Sequence, residues 1–523
     1  MECKSGGTVT KKIDVRSAFF WMIIYLAIVV VIISSGYFAI SVAVNEIGDF
    51  AANSLLIQEA KSFGLLVGNY SRVGFNHPGP AILYVLAAGE YLFYDRLALV
   101  DHAFSGQLIA VAFYNAFWLT LIAVLLRKMG LARHIVLMAV SAFCLVSAIE
   151  DHSFFNGVWM PHLYFFPFAV MLFSLARLLQ EKSDSLWMLA ISSGFLINGH
   201  ASFIAVLGLM LIIVLAYSYF AGSKRGGVLR PDFIKSNSVS LLIAIGLLAL
   251  FFIPLLILTV REFPGPLGDY LAFGGGHKPN KLAEAFSFVS IYWGGMSVFL
   301  VSIVAFALLW FGGRFDRYQP VTRSLLVVVL AATLAMLFYA KYGVDYLGET
   351  YIGFFYFAVP SALAVAVSIF VAQRLGTGSL VKGLGVAVSI AVLATSYFIG
   401  SKPPFYVDQF HGAQISELAK ALSSEKGSNG RLVLDLDSSK DWPHVWAVAA
   451  GVAALSKRQG ESVFCVNESW HILFTKELRC TSEELAHSKR FVMRRAQDGD
   501  DQGAPIQLGG VSLTQVSPPR SAD

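Results

Sequence analysis

Charge is what this sequence has least of. Of its 523 residues only 14% are Asp, Glu, Lys or Arg, against 56% hydrophobic, and the mean hydropathy is +0.65. Water-soluble domains carry far more charge, so the composition excludes an ordinary soluble protein and describes a chain that crosses a membrane many times. The first apolar run, about Ala18 to Val44, has no small-residue cleavage site after it. It is also too long for the core of a signal peptide, and it reads as a retained anchor. No internal repeat is visible, so the inverted halves of many transporters are not evident. The apolar runs are nearly free of ionisable residues, which a transporter or flippase would keep at mid-span. No cluster has firm metal-ligand spacing, although acids such as Asp49 and Asp151 could share a divalent cation. The net charge of +5 says little about nucleic acid, because the cations serve topology.

What is present is a series of apolar runs near 20 residues, long enough to span a bilayer as helices. Eleven are expected between Ala18 and Ile399. The fifth and sixth form a pair broken at "NGH". Lys4, Lys11, Lys12 and Arg16 precede the first run, so the positive-inside rule puts the N-terminus in the cytoplasm. Alternation through the runs then sends "RKMGLARH", "RLLQEKSDS", "GSKRGGVLRPDFIK" and "GGRFDRYQPVTR" to the same side. The expected fold is an α-helical polytopic membrane protein over residues 1–400 with a first external loop at 45–104.

Beyond "GSKPPFY" the character changes. Apolar stretches such as "RLVLDLD" and "SVFCVN" alternate with helical patterns such as "VWAVAAGVAALSKRQ". This predicts a small α/β extracytoplasmic domain over residues 401–495, followed by a polar, mobile tail over 496–523. Cys465 and Cys480 both fall in this external part, where a disulfide can persist; two buried thiols are the alternative.

The unusual polar residues gather in the loops on the external side. The first of these is long for a connector. It holds "NEIGDFAANS", where Glu46, Asp49 and Asn53 are spaced so that a helix would present all three on one face. Asn53, four residues after Asp49, would orient its carboxylate. Further on, "GNYSRVGFNHPGPAILYVLAAGEYLFY" supplies Arg72, His77, a stiff His-Pro-Gly-Pro turn and a short apolar helix suited to the membrane interface. Other external loops add Glu150, Asp151, Trp159 and His162, then His200 at the helix break, Arg261, Lys341 and Glu349.

This layout resembles the start of the GT-C superfamily of membrane glycosyltransferases: a span, a loop with a nearby acid, a Pro-rich turn into an interfacial helix, a second span and a basic cytoplasmic loop. "HPGPAILYVLAAGEYLF" is similar to the corresponding helix of the lipid A aminoarabinose transferases and the protein O-mannosyltransferases. "GNYSRVGFNHPGPAILYVL" is similar to the first loop of the mycobacterial arabinofuranosyltransferases. The resemblance implies a multi-pass protein of the bacterial inner membrane that takes a sugar from a polyprenyl-phosphate donor. The acceptor would be an envelope glycan, a lipid or an exported protein on the external face. Inverting transfer needs a carboxylate to take the acceptor's proton and cations or amides to stabilise the leaving phosphate. Asp49, with Glu46 as neighbour, is the implied catalytic acid pair. Arg72, His200, Arg261 and Lys341 are candidates for the phosphate. His77, Asn53, Glu150, Asp151, Trp159, His162 and Glu349 are candidates for sugar or acceptor.

Each has a plainer reading: Asp49 as a helix cap, Glu46 as a solvated neighbour, Arg72 reaching lipid headgroups, the histidines as structural ring donors. A polyprenyl-linked glycan polymerase or ligase, or a transporter, are the rival functions. The first of these would carry its large external loop late in the chain.

Overall fold

The structure is a computed structural model. It describes residues 15–221, 226–276, 278–312, 317–375, 378–404, 413–426, 430–437, 442–467, 469–496, 506–508 and 510–516. The N-terminal part is helical: α1 Val15–Ser35, α2 Tyr37–Ser41, α3 Gly48–Lys61, α4 Ala81–Gly89, α5 Ala103–Lys128, α6 Arg133–Glu150, α7 Ser153–Asn156, α8 Met160–Leu163, α9 Phe165–Leu179, α10 Leu186–Gly199 and α11 Phe203–Ala221. It continues with α12 Pro231–Ser236, α13 Ser238–Arg261, α14 Gly265–Gly276, α15 Leu282–Ile291, α16 Met296–Gly312, α17 Gln319–Tyr342, α18 Ala358–Arg374 and α19 Ser379–Gly400. Helix is the only open way for such apolar runs to satisfy their backbone inside a bilayer.

Among the described residues nine helices are long and apolar enough to cross a membrane, or ten if α15 and α16, bent by 82°, make one span. The expectation of eleven is corrected here. A helix does form at each of the eleven runs, but α10 has 14 residues, about 21 Å at 1.5 Å per residue. That is short of the roughly 30 Å hydrocarbon core. α16, at 17 residues, reaches the length only with its bent partner. The first run is also divided, since α1 ends before Gly36 and α2 starts after it. α5 and α9 are the buried centre of the bundle, whereas α1, α13 and α19 turn most of their apolar side chains outward, as lipid-facing helices do.

The C-terminal part contains α20 Ala413–Lys426, β1 Leu432–Leu436, α21 Trp442–Arg458, β2 Phe464–Val466, α22 Ser482–His487, β3 Arg490–Arg495, β4 Ile506–Leu508 and β5 Val511–Val516. The sheet order is β2-β1-β3-β5-β4. β1 pairs in parallel with β2 and β3, while β5 is antiparallel to β3 and β4. β1 is the central parallel strand, covered on both faces, which is why it reads as nearly continuous apolar sequence. The segment 496–523, expected to be mobile, is corrected in its described part: β4 and β5 complete the sheet, with Val511 and Leu513 buried. Its polar composition hid β5, where Ser512 is buried together with Val511 and Leu513. Cys465 and Cys480 form a disulfide, and Cys144 is a buried thiol within α6.

α3 joins the two parts. Its Phe50, Leu56, Ile57 and Ala60 pack in the core of the bundle, while Ala51, Ala52 and Leu55 pack in the core of the C-terminal domain. A helix buried on all sides has no amphipathic stripe.

Candidate active site

A cavity of about 160 Å³ opens where α3, the segment 69–77, the start of α8, the α10–α11 break and the end of α17 converge. Asp49 sits on it in the first turn of α3. Tyr70 donates its hydroxyl to Asp49 Oδ1, and Trp159 Nε1 donates to Oδ2 at 2.8 Å. The carboxylate is therefore held by two side chains from two other segments. Burial and the Asp49 charge together push the Tyr70 hydroxyl well above its ordinary value, so it stays a donor. Asn53 lines the same cavity, but it is not the orienting group expected: its Oδ1 is buried without a hydrogen-bond partner among the described residues.

Residues 68–77 form a tight hairpin. Gly68 N donates to His77 O at 2.9 Å, His77 N to Asn69 O at 2.9 Å, and Ser71 N to Phe75 O at 2.7 Å. Gly74 takes φ +94° at the turn. Tyr70 stands at the bridge to Asn76 and Arg72 in the turn, and both line the cavity. Arg72 Nη2 lies 2.6 Å from Asp345 Oδ1, and Nη1 lies 3.8 Å from Glu349. The His-Pro-Gly-Pro turn is packed against the end of α10. Gly79 N donates to Asn198 O at 3.0 Å, and a Cβ on Gly79 would fall 2.3 Å from Asn198 Oδ1.

His77 and His200 meet with ring centroids 4.1 Å apart. His200 Nδ1 is 2.8 Å from Ser202 Oγ. Burial lowers the His200 imidazole to about 4, against a smaller opposing pull from Asp345. Burial, reinforced by His200, also holds His77 well below the usual imidazole range. Burial thus favours the neutral form of both rings, and His200, a candidate for the phosphate, lines the cavity with an N–H to offer.

The remaining candidates lie apart from the cavity lining. Glu46, expected beside Asp49 on a helical face, precedes α3 and points elsewhere; it is 2% exposed, with its carboxylate on Arg458. Asp151 pairs with buried His162 at 2.9 Å rather than approaching Asp49. Against the effect of burial, the His162 hydrogen bond holds the Asp151 carboxyl below its ordinary value. Glu150 ends α6, Arg261 is exposed at the end of α13, and Lys341 lies over the Tyr342 ring at 5.3 Å. Glu349 is off the cavity lining, with its carboxylate 3.8 Å from Arg72 Nη1. Tyr70, Asp345 and Tyr351 line the cavity and were not singled out in the sequence. Tyr70 stands two residues before Arg72, and Asp345 stands in "KYGVDYLGETY" between Lys341 and Glu349, so nearness to those candidates was the usable signal. Among the described residues no group of three or more His, Cys, Asp or Glu side chains could hold a metal ion.

The fold has known counterparts. The crystal structure of ArnT from Cupriavidus metallidurans in the apo state superposes with a TM-score of 0.60 at 12% identity, over 95% of this chain and 98% of that one. The same enzyme bound to undecaprenyl phosphate superposes equally well. The fold is GT-C-like. An oligosaccharyltransferase from Archaeoglobus fulgidus also matches, with a TM-score of 0.48 at 11% identity over 92% of this chain and 70% of that one. Sequence comparison finds no matching family model and no matching curated protein.

Proposed function

We propose that this GT-C-like chain is an inverting glycosyltransferase that uses a polyprenyl-phosphate sugar as donor at the extracytoplasmic membrane surface. The observation that carries the reading is the pairing of Asp49 and Arg72 on one small cavity, with Asp49 held by Tyr70 and Trp159. An acceptor hydroxyl attacks C1 of the donor sugar, the C1–O bond to phosphate breaks, and the hydroxyl proton passes to Asp49. The polyprenyl phosphate leaves as an anion. Arg72 exchanges part of its contact with Asp345 for the phosphate oxygens, a geometry suited to a guanidinium fork. His77 and His200 add neutral N–H donors. Asp49 takes the base role in preference to Glu46, whose carboxylate is already occupied by Arg458.

The polyprenyl-phosphate donor is supported by the shared fold with ArnT, which has been crystallised with undecaprenyl phosphate. The sugar is a pentose or hexose, arabinofuranose being the one suggested by the first-loop resemblance. The acceptor is an envelope glycan, lipid or exported protein. Incubating the purified protein with a panel of polyprenyl-phosphate sugars tests the reading. One donor should be consumed with release of free polyprenyl phosphate when acceptor-containing envelope extract is added. Survival of every donor under these conditions defeats it.

A further inference from the structure

The C-terminal domain could serve to bind the acceptor or to brace the catalytic loop. Its contact with the bundle favours the second. α21 ends at Arg458, whose guanidinium enters the seam between the two parts. Nη1 lies 2.6 Å from Glu46 Oε2, and Nη2 lies 2.9 Å from Ser54 Oγ and 3.2 Å from Glu90 Oε2. Glu46 and Glu90 are 2% and 0% exposed. Ser54 Oγ donates to Glu46 at 2.8 Å, Gln58 Nε2 and Gln107 Nε2 each donate to Glu90 at 2.8 Å, and Lys61 Nζ lies 2.6 Å from Glu90. Every carboxylate oxygen in this buried cluster is met, the condition under which such a network fixes one arrangement.

Ser54, Gln58 and Lys61 belong to α3, whose first turn carries Asp49. At 3.6 residues per turn they lie about 120–180° around the helix from Asp49. The network thus grips the back of the helix whose front bears the carboxylate. The approach is close along the backbone too: a Cβ on Gly451 of α21 would fall 2.7 Å from Glu46 O.

We propose that Arg458 is a positioning residue, through which the C-terminal domain sets the rotation of α3 and so aims Asp49 at the acceptor. The inference rests on the glycosyltransferase reading of the cavity. Two full-length variants test it: Arg458→Lys, which keeps the charge but loses the fork, and Glu46→Gln/Glu90→Gln/Arg458→Gln, which removes the guanidinium and both carboxylates while Lys61 keeps its ion pair with Asp95. Transfer kinetics and amide exchange of residues 49–53 are measured on protein that is monodisperse in detergent. Each variant should lose at least tenfold in kcat with donor and acceptor KM within about twofold of wild type, and its α3 amides should exchange at least tenfold faster.

Unchanged kcat in either folded variant overturns the proposal, whatever the exchange shows. So does a raised acceptor KM with kcat preserved, which would make the domain an acceptor site. Failure of both variants to fold also overturns it, because Arg458 would then be structural alone. Faster α3 exchange in a protein whose wild type transfers no sugar would defeat the glycosyltransferase reading and leave the mechanical link standing.

Discussion

Asp49, a half-buried carboxylate, combines two properties. It is oriented by donors on both oxygens, from Tyr70 and Trp159, and it faces a cavity. Asp49→Asn keeps the shape and most of the hydrogen bonding but cannot take a proton. It should lower turnover by about a hundredfold or more while donor binding stays near normal. Tyr70→Phe removes one orienting donor and should cost about tenfold, the scale of a single hydrogen bond to a charged group. Steady-state transfer assays decide both. Wild-type turnover in Asp49→Asn would remove the base from this residue. His200 carries a second residue-scale expectation. Its folded-state value of about 4 lies below that of a free imidazole, so between roughly 6.5 and 4 the unfolded chain binds the proton that the folded one refuses. Its contribution is present above the ordinary imidazole value and is lost as pH falls through that window. Thermal unfolding in detergent should therefore show a larger loss of Tm from pH 7 to 5 in wild type than in His200→Asn. Equal losses would mean that the ring is not buried neutral.

At the scale of elements, the turn into α4 was legible, whereas the hairpin 68–77 and the partners of α3 were not. The His-Pro-Gly-Pro turn announces a rigid start to α4 from local chemistry alone. The helix itself continues as a π-helix over Glu90–Arg96, which turns Glu90 inward and leaves Tyr91 and Tyr94 exposed. In α3 the spacing of Asp49 and Asn53 promised a local hydrogen bond, but partners 21 and 110 residues away won. Local periodicity carries no information about such contacts, nor about Arg458, which reaches Glu46 across 412 residues. Gly79 gives the element-scale test. A methyl group there collides with Asn198, whose amide is already committed to Phe251 O at 2.8 Å. Gly79→Ala should destabilise the protein by about 1–3 kcal/mol through overpacking. Adding Asn198→Ala should recover part of that loss in a double-mutant cycle. A Gly79→Ala protein as stable as wild type would mean that the turn does not pack there.

For the whole molecule, composition with continuous apolar runs near 20 residues was enough for the class, since such runs cross a bilayer as helices. Span number was less legible, because α10 and the bent α15–α16 pair are apolar without each being long enough to cross. Orientation is a separate matter, argued from the placement of cations. With all eleven apolar runs counted as crossings, the basic segments fall on one side with a cytoplasmic N-terminus, and on that reading we propose that the chain after α19 lies outside. Cys465 and Cys480, 15 residues apart in the C-terminal domain, give an independent handle, because such a bond persists only in an oxidising compartment. Alkaline phosphatase fused after Gly400 should therefore be active and, fused after Ala221, inactive. In intact cells the cysteine pair should resist alkylation until a reductant is added. Reduction should cost the domain about 3 kcal/mol, the chain-entropy scale for a loop of this size. An inactive fusion after Gly400 with an active one after Ala221 would invert the topology. It would put Asp49 and its cavity on the cytoplasmic side, where an external acceptor could not reach them.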